Sequence, residues 1–295
     1  MSGKTVLITG ASSGIGRETA IALAEKGAHV VMIVRNRERG EAVKQEILAQ
    51  NSSAQVDILL ADLSSMEEVQ RVASEFKSKY NQLHVLINNA GGVFGKRMLS
   101  RDGYEMTIAL NYFAPFLLTN ELLDVLKASA PSRIVNVSSN AHRLGRVEFD
   151  NMRGERSFGG MRVYGSSKLM LLAFTYELAR RLEGTGVTVN ALHPGFVATN
   201  FGKSDAGRVT RGFFGLVRPF QKTPKEGAET SIYLASSEEI EGVTGKYFVD
   251  SRPAKSSSAS TEVGMQKALW LWTVDSLHLE SSRCTTPLAQ SSVQS

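Results

Sequence analysis

The sequence predicts an α/β fold in which a doubly wound parallel sheet of about seven strands carries helices on both faces. Two observations predict it. Short, continuous apolar runs are typical of parallel strands that are covered on both sides, and segments with a helical apolar period follow them in turn. This alternation runs from about residue 4 to residue 249 of the 295-residue chain. A chain of that length can bury a sizeable core, and we assign residues 1–250 to a single domain.

The composition favours a globular enzyme over a nucleic-acid-binding or membrane-binding protein. Hydrophobic residues make up 42% of the chain and charged residues 21%, with a formal net charge of +5. Basic residues alternate with acidic ones along the expected helices, and no Lys/Arg block of nucleic-acid type occurs. The single cysteine, Cys284, excludes an intrachain disulfide and fits a reducing compartment. The histidines lack metal-ligand spacing, so no metal is expected.

The start of the chain suggests no targeting segment. After Met1-Ser-Gly-Lys4 the sequence enters a strand at once, which leaves no room for a signal peptide. No apolar run approaches the ~20 residues that a membrane span requires. We therefore expect a cytoplasmic protein with no transmembrane segment.

The first strand, over residues 4–9, leads into the glycine-rich loop Gly10-Ala-Ser-Ser-Gly-Ile-Gly16 and a helix over about residues 17–26. Three glycines between a strand and a helix let the backbone pass close to a pyrophosphate, which would bind the free amides at the helix start. The spacing G-x-x-x-G-x-G differs by one step from G-x-G-x-x-G. A tight turn is the alternative, but the position between strand and helix favours a nucleotide. The candidate contacts are Gly10, Ser12, Ser13, Gly14, Ile15 and Gly16.

The second strand, His29 to Val34, ends in Arg35-Asn36-Arg37. Enzymes that select NAD usually have an Asp or Glu at this place, bonded to the ribose 2′-hydroxyl group. The two arginines instead suit a 2′-phosphate by charge and by fork geometry. The alternative is that they are solvated charges that open the next helix. We predict that Arg35, Asn36 and Arg37 contact NADP(H), with NAD(H) less favoured.

The third strand, Val56 to Leu60, leads into Asp62 and Leu63. Asp62 is placed to meet an adenine edge, or it is the N-cap of the helix over about residues 65–80. Asp62 and Leu63 are therefore candidate cofactor contacts.

The fourth strand, Leu83 to Ile87, runs into asparagines and small residues that can shape the floor of a cofactor site. The candidate contacts there are Asn89, Ala90 and Gly91. The next predicted helix, over about residues 104–127, carries Asn111 in an apolar stretch. A buried amide must be hydrogen-bonded, so Asn111 is either a structural residue or the anchor of a proton relay.

The fifth strand, Arg133 to Val137, ends at Ser138-Ser139, where doubly wound sheets place their sites. A loop to about residue 160 precedes a long helix over residues 161–182, in which Tyr164 and Lys168 lie four apart and share a face. A fixed ammonium stabilises a phenolate and lowers the pKa of tyrosine from about 10 towards neutrality. A residue that acts as general acid/base between an alcohol and a carbonyl needs such a pKa near neutrality. Alone the pair is weak evidence, because the spacing recurs by chance.

The sixth strand, Val187 to Leu192, ends at His193-Pro-Gly-Phe-Val-Ala-Thr199. Residues 201–223 have no clean period and are too long for an idle connection, so we expect a substrate lid there. A helix over about residues 224–236 and a strand over residues 246–249 complete the pattern. We expect a flexible linker at 251–260, a last helix at 261–279 and a disordered tail at 280–295.

The phenylalanines that favour an apolar substrate are Phe94, Phe196, Phe201, Phe213, Phe214 and Phe220.

Taken together, these motifs resemble the short-chain dehydrogenase/reductase (SDR) family over about residues 4–249. The matching residues are Gly10 to Gly16, Asp62-Leu63, Asn88 to Gly91, Asn111, Ser139, Tyr164 with Lys168, and Pro194-Gly195. The resemblance implies a Rossmann-type domain, a nicotinamide cofactor and a catalytic tetrad of Asn111, Ser139, Tyr164 and Lys168. Ser139 is preferred to Ser138 because the family's serine is usually the second of the pair. Further cofactor contacts are expected at Tyr164, Lys168, Pro194, Gly195, Val197 and Thr199.

The resemblance also implies a role for each residue of the tetrad. A carbonyl oxygen would lie between the hydroxyls of Ser139 and Tyr164 while the nicotinamide delivers hydride to its carbon. Tyr164 would exchange the proton, and Ser139 would stabilise the developing alkoxide. Lys168 would lower the pKa of the tyrosine and hold the ribose, and Asn111 would anchor a water. Ser139, Tyr164 and Phe196 are the candidate substrate contacts.

The finer pattern is similar to the retinol dehydrogenase-like branch of the family. The segments that carry this similarity are 133–139, 141–142, 144–146, 177–182, 193–195 and 272–274. Ser139 and Tyr164 lie 25 positions apart, about double the common family gap, and relatives in this branch share such an insert. The amino-terminal membrane anchor common in the branch is not expected here. The substrate would be a lipophilic carbonyl, such as retinal, and homodimers or homotetramers could form through the long helices.

Two other functional classes remain open. One is a catalytically idle protein that binds the nucleotide and acts through partners, against which the intact tetrad argues. The other is an epimerase or dehydratase on the same scaffold. Many such relatives have a different glycine spacing and a larger substrate domain, which disfavours this class.

Overall fold

The computed structural model describes residues 1–197 and 222–279. Its strands are β1 (Thr5–Thr9), β2 (His29–Val34), β3 (Val56–Leu60), β4 (Val85–Asn88), β5 (Ser132–Val137), β6 (Val187–His193), β7 (Lys246–Val249) and β8 (Arg252–Ala254). They form one eight-stranded sheet in the order β3-β2-β1-β4-β5-β6-β7-β8. The first seven pair in parallel, and β8 pairs antiparallel with β7. The predicted doubly wound parallel sheet is confirmed.

Helices connect the parallel strands. They are α1 (Gly14–Glu25), α2 (Arg37–Gln50), α3 (Met66–Lys79), α4 (Met106–Ile108), α5 (Ala114–Glu121), α6 (Leu123–Ala128), α7 (Gly160–Arg181), α8 (Pro224–Ser236), α9 (Ser258–Thr261) and α10 (Val263–Ser276). A π-helical turn spans Ala109–Phe113, and two 3₁₀ turns span Asn140–Leu144 and Phe149–Asn151.

The point where the sheet changes direction positions the site. β1 pairs with β2 on one side and with β4 on the other, so the chain builds the sheet outwards in both directions from β1. A crevice forms outside the carboxyl ends of the strands at such a switch point. The glycine loop follows β1, and the segment Asn89 to Gly91 follows β4. The topology therefore brings these two predicted cofactor segments together.

A separate apolar core lies on each face of the sheet. One core packs α3, α5, α7 and α10 against the strands, with Phe76, Phe116 and Phe174 among its buried side chains. The other packs α1, α2 and α8, with Leu23 and Leu234 among its members. Strands covered on both faces need apolar residues throughout, which explains the continuous apolar runs in the sequence.

The long helix predicted over residues 104–127 is interrupted. The α-helical pattern changes to a π-helical turn at Ala109–Phe113 and breaks again between α5 and α6. Pro115 has no N–H group to donate to the carbonyl of Asn111, so an ordinary α-helix cannot continue through this turn. The interruption leaves Asn111 at the centre of the π-helical turn.

The segment after the last parallel strand is ordered, which corrects the prediction of a flexible linker at 251–260. Asp250 and Ser251 have φ of 49° and 59°, and this left-handed pair turns the chain back as β8. The helix α9 follows. The serine-rich composition indicated a linker, but hydrogen bonds to the rest of the domain fix the segment, as described below.

The predicted terminal helix is present as α10 and packs on the core. The Trp270 ring lies 4.9 Å from that of Phe116 and 5.9 Å from that of Phe174, centroid to centroid. The Tyr112 hydroxyl and Thr273 Oγ1 are 2.6 Å apart. Residues 280–295, predicted to be disordered, lie outside the described residues. None of the helices described is long and apolar enough to cross a membrane.

Candidate active site

The glycine loop forms a cradle at the start of α1. Gly10 and Gly14 have φ of 67° and 55°, in the left-handed region that favours glycine. A Cβ atom at Gly16 would lie 2.5 Å from the carbonyl oxygen of Gly10, so only glycine fits there. No side chain caps the start of α1 at Ser13, which leaves its first amides available to an anion. The residues present therefore fit the pyrophosphate of a dinucleotide.

The segment after β4 is tied to this cradle. Asn89 Nδ2 donates to the carbonyl of Thr9 at 2.8 Å, and Thr9 Oγ1 accepts from the backbone amides of Asn89 and Ala90 at 2.9 Å each. The side chain of Asn88 instead lies within the sheet, where its Nδ2 donates to Thr119 and Asn136. Asn89 and Ala90 thus border the cradle, whereas Asn88 holds strands and helix together.

The end of β2 exposes its arginines to solvent. Arg35, Asn36 and Arg37 are all exposed. Asn36 Oδ1 caps α2 by accepting from the amide of Arg39 at 2.9 Å, and Arg37 lies 4.0 Å from Glu41. Arg39 is exposed at the same turn. The alternation Arg-x-Arg-x-Arg at positions 35, 37 and 39 was the signal that could have indicated this third exposed arginine from the sequence.

The structure excludes one of the two alternatives for Asp62, the N-cap of α3, and the adenine contact stays a prediction. Asp62 Oδ1 accepts from the amide and hydroxyl groups of Ser64 at 3.0 and 2.8 Å, so it closes a local turn. The N-cap of α3 is Ser65, not Asp62. Asp62 is exposed beside this turn, and Leu63 is buried.

Asn111 is fully buried and its amide is hydrogen-bonded on both sides. Its Oδ1 accepts from the amide of Gly92 at 2.8 Å, and its Nδ2 donates to the carbonyl of Gly92 at 2.9 Å and to Ser167 Oγ at 3.0 Å. A Cβ atom at Gly91 would lie 3.1 Å from Asn111 Oδ1 and 3.4 Å from Lys168 Nζ. Asn111 and Lys168 therefore border the same small space beside Gly91.

Ser139, Tyr164 and Lys168 meet where β5 ends against α7. Ser139 is the N-cap of the 3₁₀ turn that follows β5, and its side chain is hydrogen-bonded with Tyr164. Lys168 Nζ donates to the carbonyl of Val137 at 2.8 Å and lies 5.8 Å from the centroid of the Tyr164 ring. Ser138 Oγ instead donates to the carbonyl of Lys168 at 3.1 Å. The structure thus places Ser139, and not Ser138, beside Tyr164.

The electrostatics of this group differ from the expectation of a lowered tyrosine pKa. Burial raises the pKa of Tyr164 to about 12, and the hydrogen bond with Ser139 acts in the opposite direction. Burial lowers the pKa of Lys168 to about 7. The physical reason is that both groups lose water, and the lysine donates to a backbone carbonyl rather than to the phenol.

The chain after β6 borders the cradle from the other side. Gly195 has a φ of 88°, and a Cβ atom there would lie 2.8 Å from the side chain of Lys222. Val197 pairs with Lys222 as an isolated bridge. Val197 and Ile15 both lie against Gly227 of α8, within 3.3 Å of where its Cβ atom would be. Val197 is therefore next to the glycine loop.

The remaining predicted residues at this end are Pro194, which is half-buried, and Phe196, which is 53% exposed. Thr199 lies outside the described residues, as does the part of the predicted lid between 201 and 221. The same holds for Phe201, Phe213, Phe214 and Phe220.

Two buried histidines beside the site, His142 and His193, lie in segments that carry the resemblance, but the sequence assigned them no role. Asn140 donates its backbone amide to His193 Nδ1 at 3.3 Å, and burial lowers the pKa of His193 to about 4. His142 Nδ1 lies 2.7 Å from the carbonyl oxygen of Ser139. Each follows or adjoins a motif that was recognised, and this proximity was the available signal. Within the described ranges, no group of three or more His, Cys, Asp or Glu residues could hold a metal ion.

Comparisons with known proteins agree on one family. The sequence model described as short chain dehydrogenase matches residues 4–208. Human retinol dehydrogenase 14 is 44% identical over 285 residues, which cover 92% of this chain and 85% of that protein. Human retinol dehydrogenase 11 is 42% identical over 277 residues, which cover 94% of this chain and 86% of that one.

Solved structures show the same similarity. A crystal structure of a protein from Mycobacterium paratuberculosis has a TM-score of 0.76 and 31% identity, with 94% of each chain covered. The NADP active-site complex of RhlG from Pseudomonas aeruginosa has a TM-score of 0.68 and 27% identity, over 84% of this chain and 94% of that one.

Proposed function

Because the chain belongs to the short-chain dehydrogenase/reductase family, in its retinol dehydrogenase-like branch, we propose that it interconverts a lipophilic aldehyde or ketone and its alcohol with NADP(H). The oxidoreductase class follows from the relatives in this branch, which are named retinol dehydrogenases. The observation that carries the proposal is the meeting of Ser139, Tyr164 and Lys168 at the carboxyl end of β5, on the same edge of the sheet as the glycine cradle.

The residues of the site would divide the chemistry between them. The bound nicotinamide supplies hydride to the carbonyl carbon, or accepts it from the alcohol. With its pKa raised to about 12, Tyr164 is protonated at neutral pH and can donate a proton to the substrate oxygen. Ser139 Oγ accepts from the amide of Ala141 at 3.2 Å, so its own proton remains for the substrate oxygen or Tyr164.

Lys168 and Asn111 are proposed to form the path that returns the proton. A pKa near 7 lets Lys168 take or release a proton close to neutral pH. Both Lys168 Nζ and Asn111 Oδ1 lie within 3.4 Å of the Cβ position at Gly91. The proposed relay needs one water that bridges these two groups. We also assign Lys168 to the nicotinamide ribose.

The cofactor assignment follows from the surface at the end of β2. Arg35, Asn36 and Arg37 are proposed to surround the 2′-phosphate, and no Asp or Glu occurs between Val30 and Arg37. The glycine cradle, with Ser12, Ser13 and Gly14, would hold the pyrophosphate. Asp62, Leu63, Asn89, Ala90, Pro194 and Val197 would complete the site. RhlG, a structural neighbour of this chain, was crystallised with NADP, which supports this choice over NAD(H).

The substrate assignment rests on the branch and on apolar side chains. Relatives at 40–44% identity are named retinol dehydrogenases, so a retinal-like carbonyl is the proposed substrate. Phe196 is exposed next to the expected nicotinamide position, and Phe94 lies against Gly92. Both would contact an apolar molecule. The idle-protein and epimerase or dehydratase alternatives have no observation of their own in favour of them.

Location and assembly belong to the same proposal. We assign the protein to the cytoplasm, because a single cysteine fits a reducing compartment. Fractionation of cells that express the full chain checks this. The expected homodimer or homotetramer stays a prediction. The mass measured by sedimentation velocity tests it.

The experiment that tests the cofactor assignment is a pair of kinetic measurements. A guanidinium–phosphate contact contributes about 1.5–3 kcal/mol, which corresponds to roughly a ten- to hundredfold preference in kcat/KM for NADPH over NADH. Arg35→Asp should abolish or reverse that preference. Lys127→Asp, at an exposed lysine on α6, is the control and should leave the preference as it is. A wild-type enzyme that prefers NADH would refute the assignment.

A further inference from the structure

The proposed mechanism gives no role to His142, a buried histidine that is hydrogen-bonded to the backbone of the catalytic serine. His142 is 1% exposed and is the third residue of the 3₁₀ turn Asn140–Leu144. Ser139 is the N-cap of that turn. The imidazole therefore lies one short turn away from the hydroxyl that is to hold the substrate oxygen.

The two hydrogen bonds of the His142 ring fix its protonation state. Nδ1 lies 2.7 Å from the carbonyl oxygen of Ser139, and Nε2 lies 3.0 Å from the backbone nitrogen of Ser257. A carbonyl oxygen can only accept, and a backbone N–H can only donate. The ring must therefore be neutral, with its proton on Nδ1. Burial, which lowers the pKa of His142, agrees with this.

The bond from His142 Nδ1 to the Ser139 carbonyl fixes the backbone at Ser139. The Ser139 carbonyl accepts from the backbone amide of His142 at 3.1 Å as well as from the ring. The Ser139 hydroxyl accepts from the amide of Ala141, one residue earlier in the same turn. The serine is thus held at both its carbonyl and its side chain by one turn, and His142 closes that turn.

The second bond ties the turn to the segment that follows the last parallel strand. Arg143 donates to the carbonyl of Lys255 at 2.7 Å, next to the bond from Ser257 to His142. The Tyr176 hydroxyl of α7 donates to Ser256 Oγ at 2.7 Å. The segment is therefore fixed to the catalytic helix, and it gives the His142 ring a rigid support.

The packing around His142 has the same effect. Tyr247 of β7 contacts the ring edge-on, with 5.3 Å between the centroids. A Cβ atom at Gly145, which ends the turn, would lie 2.6 Å from the backbone nitrogen of Ser166 on α7. Such close packing restricts the turn to one conformation as long as the imidazole keeps its two hydrogen bonds.

We propose that His142 is a positioning residue for Ser139, and that its bonds to the Ser139 carbonyl and to the Ser257 amide hold the serine hydroxyl beside Tyr164. This inference rests on the proposed function, because it assigns a part in that reaction. It also gives the segment from Arg252 to Thr261 a part in the active site beyond completing the sheet.

The test compares three substitutions at this position. His142→Asn keeps an amide donor near the place of Nδ1, His142→Gln keeps an acceptor near the place of Nε2, and His142→Ala keeps neither. A small displacement of a catalytic group can cost about a hundredfold in rate. We expect kcat to fall roughly 10- to 100-fold in His142→Ala, while the Kd for NADPH stays unchanged. His142→Asn and His142→Gln each keep one of the two bonds, so each should lose less kcat than His142→Ala.

A second buried histidine serves as the control for general loss of stability. His84 Nδ1 accepts from the amide of Thr5 at 3.0 Å. This bond lies at the amino ends of β1 and β4, away from the carboxyl ends where the site lies. His84→Ala should lower the melting temperature and leave kcat unchanged. Equal kcat values in wild type and His142→Ala would overturn the proposal, and so would losses in both His142→Asn and His142→Gln as large as that in His142→Ala.

A measurement on the unmodified protein covers the case in which the variants fail to fold. The ¹⁵N NMR shifts of the His142 ring should show a neutral imidazole with its proton on Nδ1 at neutral pH. A proton on Nε2, or a charged ring, would overturn the assignment without any activity measurement.

Ser139→Ala separates failure of this inference from failure of the proposed function. If Ser139→Ala turns over as fast as the wild type, the proposed function is wrong, and His142 has no catalytic group to position. If Ser139→Ala is slow while His142→Ala is fast, the proposed function stands and the positioning role is refuted.

Discussion

Ser138 and Ser139 are neighbours in the sequence, yet their hydroxyls have different partners. Ser138 Oγ is buried and donates to the carbonyl of Lys168 inside α7. Ser139 Oγ is hydrogen-bonded with Tyr164. Both partners lie on α7, so Ser138 supports the backbone of the helix, whereas Ser139 reaches the side chain of Tyr164.

This difference predicts the effect of each substitution on the rate. Ser139→Ala should lower kcat by on the order of 10²–10³, the size of one lost oxyanion donor. Ser138→Ala removes a hydroxyl that faces the helix, and it should cost far less in kcat while lowering stability. Steady-state kinetics on both variants checks this. The reverse order of the two losses would mean that the wrong serine has been assigned.

Lys168 predicts a pH dependence of stability. Its pKa is lowered from 10.5 to about 7 by burial. Between these values the unfolded chain binds a proton at this lysine that the folded chain has released, so the folded state gains stability as the pH rises. Relative to Lys168→Met, the wild-type free energy of unfolding should rise with pH above 7, by at most about 1.4 kcal/mol per pH unit.

Urea unfolding at pH 7, 8 and 9 measures this difference. An exposed lysine on α10, Lys267, provides the control, because Lys267→Met should leave the pH dependence as it is in the wild type. A constant difference between wild type and Lys168→Met over this range would show that the ammonium is hydrated in the folded protein.

At the scale of the elements, α10 acts as a cover for the helices that carry the tetrad. Trp270 packs between Phe116 and Phe174, and the guanidinium of Arg181 lies 4.2 Å from its ring centroid. Glu177 pairs with Arg180 and Arg181 on α7. The terminal helix is thus held to α7 by apolar contact and by the contact of the Arg181 guanidinium with the Trp270 ring.

Two neighbouring substitutions on α10 test this role. Trp270 is 3% exposed, and Trp270→Ala should lower the free energy of unfolding by about 3–5 kcal/mol. Leu271 is 65% exposed, and Leu271→Ala should change it by no more than about 0.5 kcal/mol. Chemical denaturation of both variants gives the comparison. Similar values for the two would mean that α10 contributes little to the fold.

Element by element, the sequence predicted the parts that local pattern specifies. The apolar strands and the helix over 161–182 follow from periodicity, and the structure has β1–β7 and α7 at those places. The interruption of the helix at Asn111 was not predicted because the apolar period continues through it. Pro115 was the residue that indicated the interruption. The order in residues 251–260 could not be predicted, since it depends on bonds from Tyr176 and His142, far away in sequence.

For the molecule as a whole, the topology explains why residues far apart in sequence form one site. The carboxyl ends of parallel strands meet at one edge of a sheet, and the glycine loop, Asn89 to Gly91, Ser139 and Pro194 all follow such ends. The closeness of Ser139, Tyr164 and Lys168 agrees with the order of the motifs, and the catalytic tetrad stays a prediction. The raised pKa of Tyr164 could not be predicted, because burial is a property of the folded chain.

The central claim is that Tyr164 exchanges a proton with a lipophilic carbonyl substrate while NADP(H) is bound. The most direct measurement is NADPH consumption with a retinal-like aldehyde by the wild type and by Tyr164→Phe, with the Kd for NADPH determined for both. The wild type should turn over, and the variant should lose about 10²–10⁴ in kcat with its Kd for NADPH unchanged. Equal turnover by the two proteins would contradict the claim.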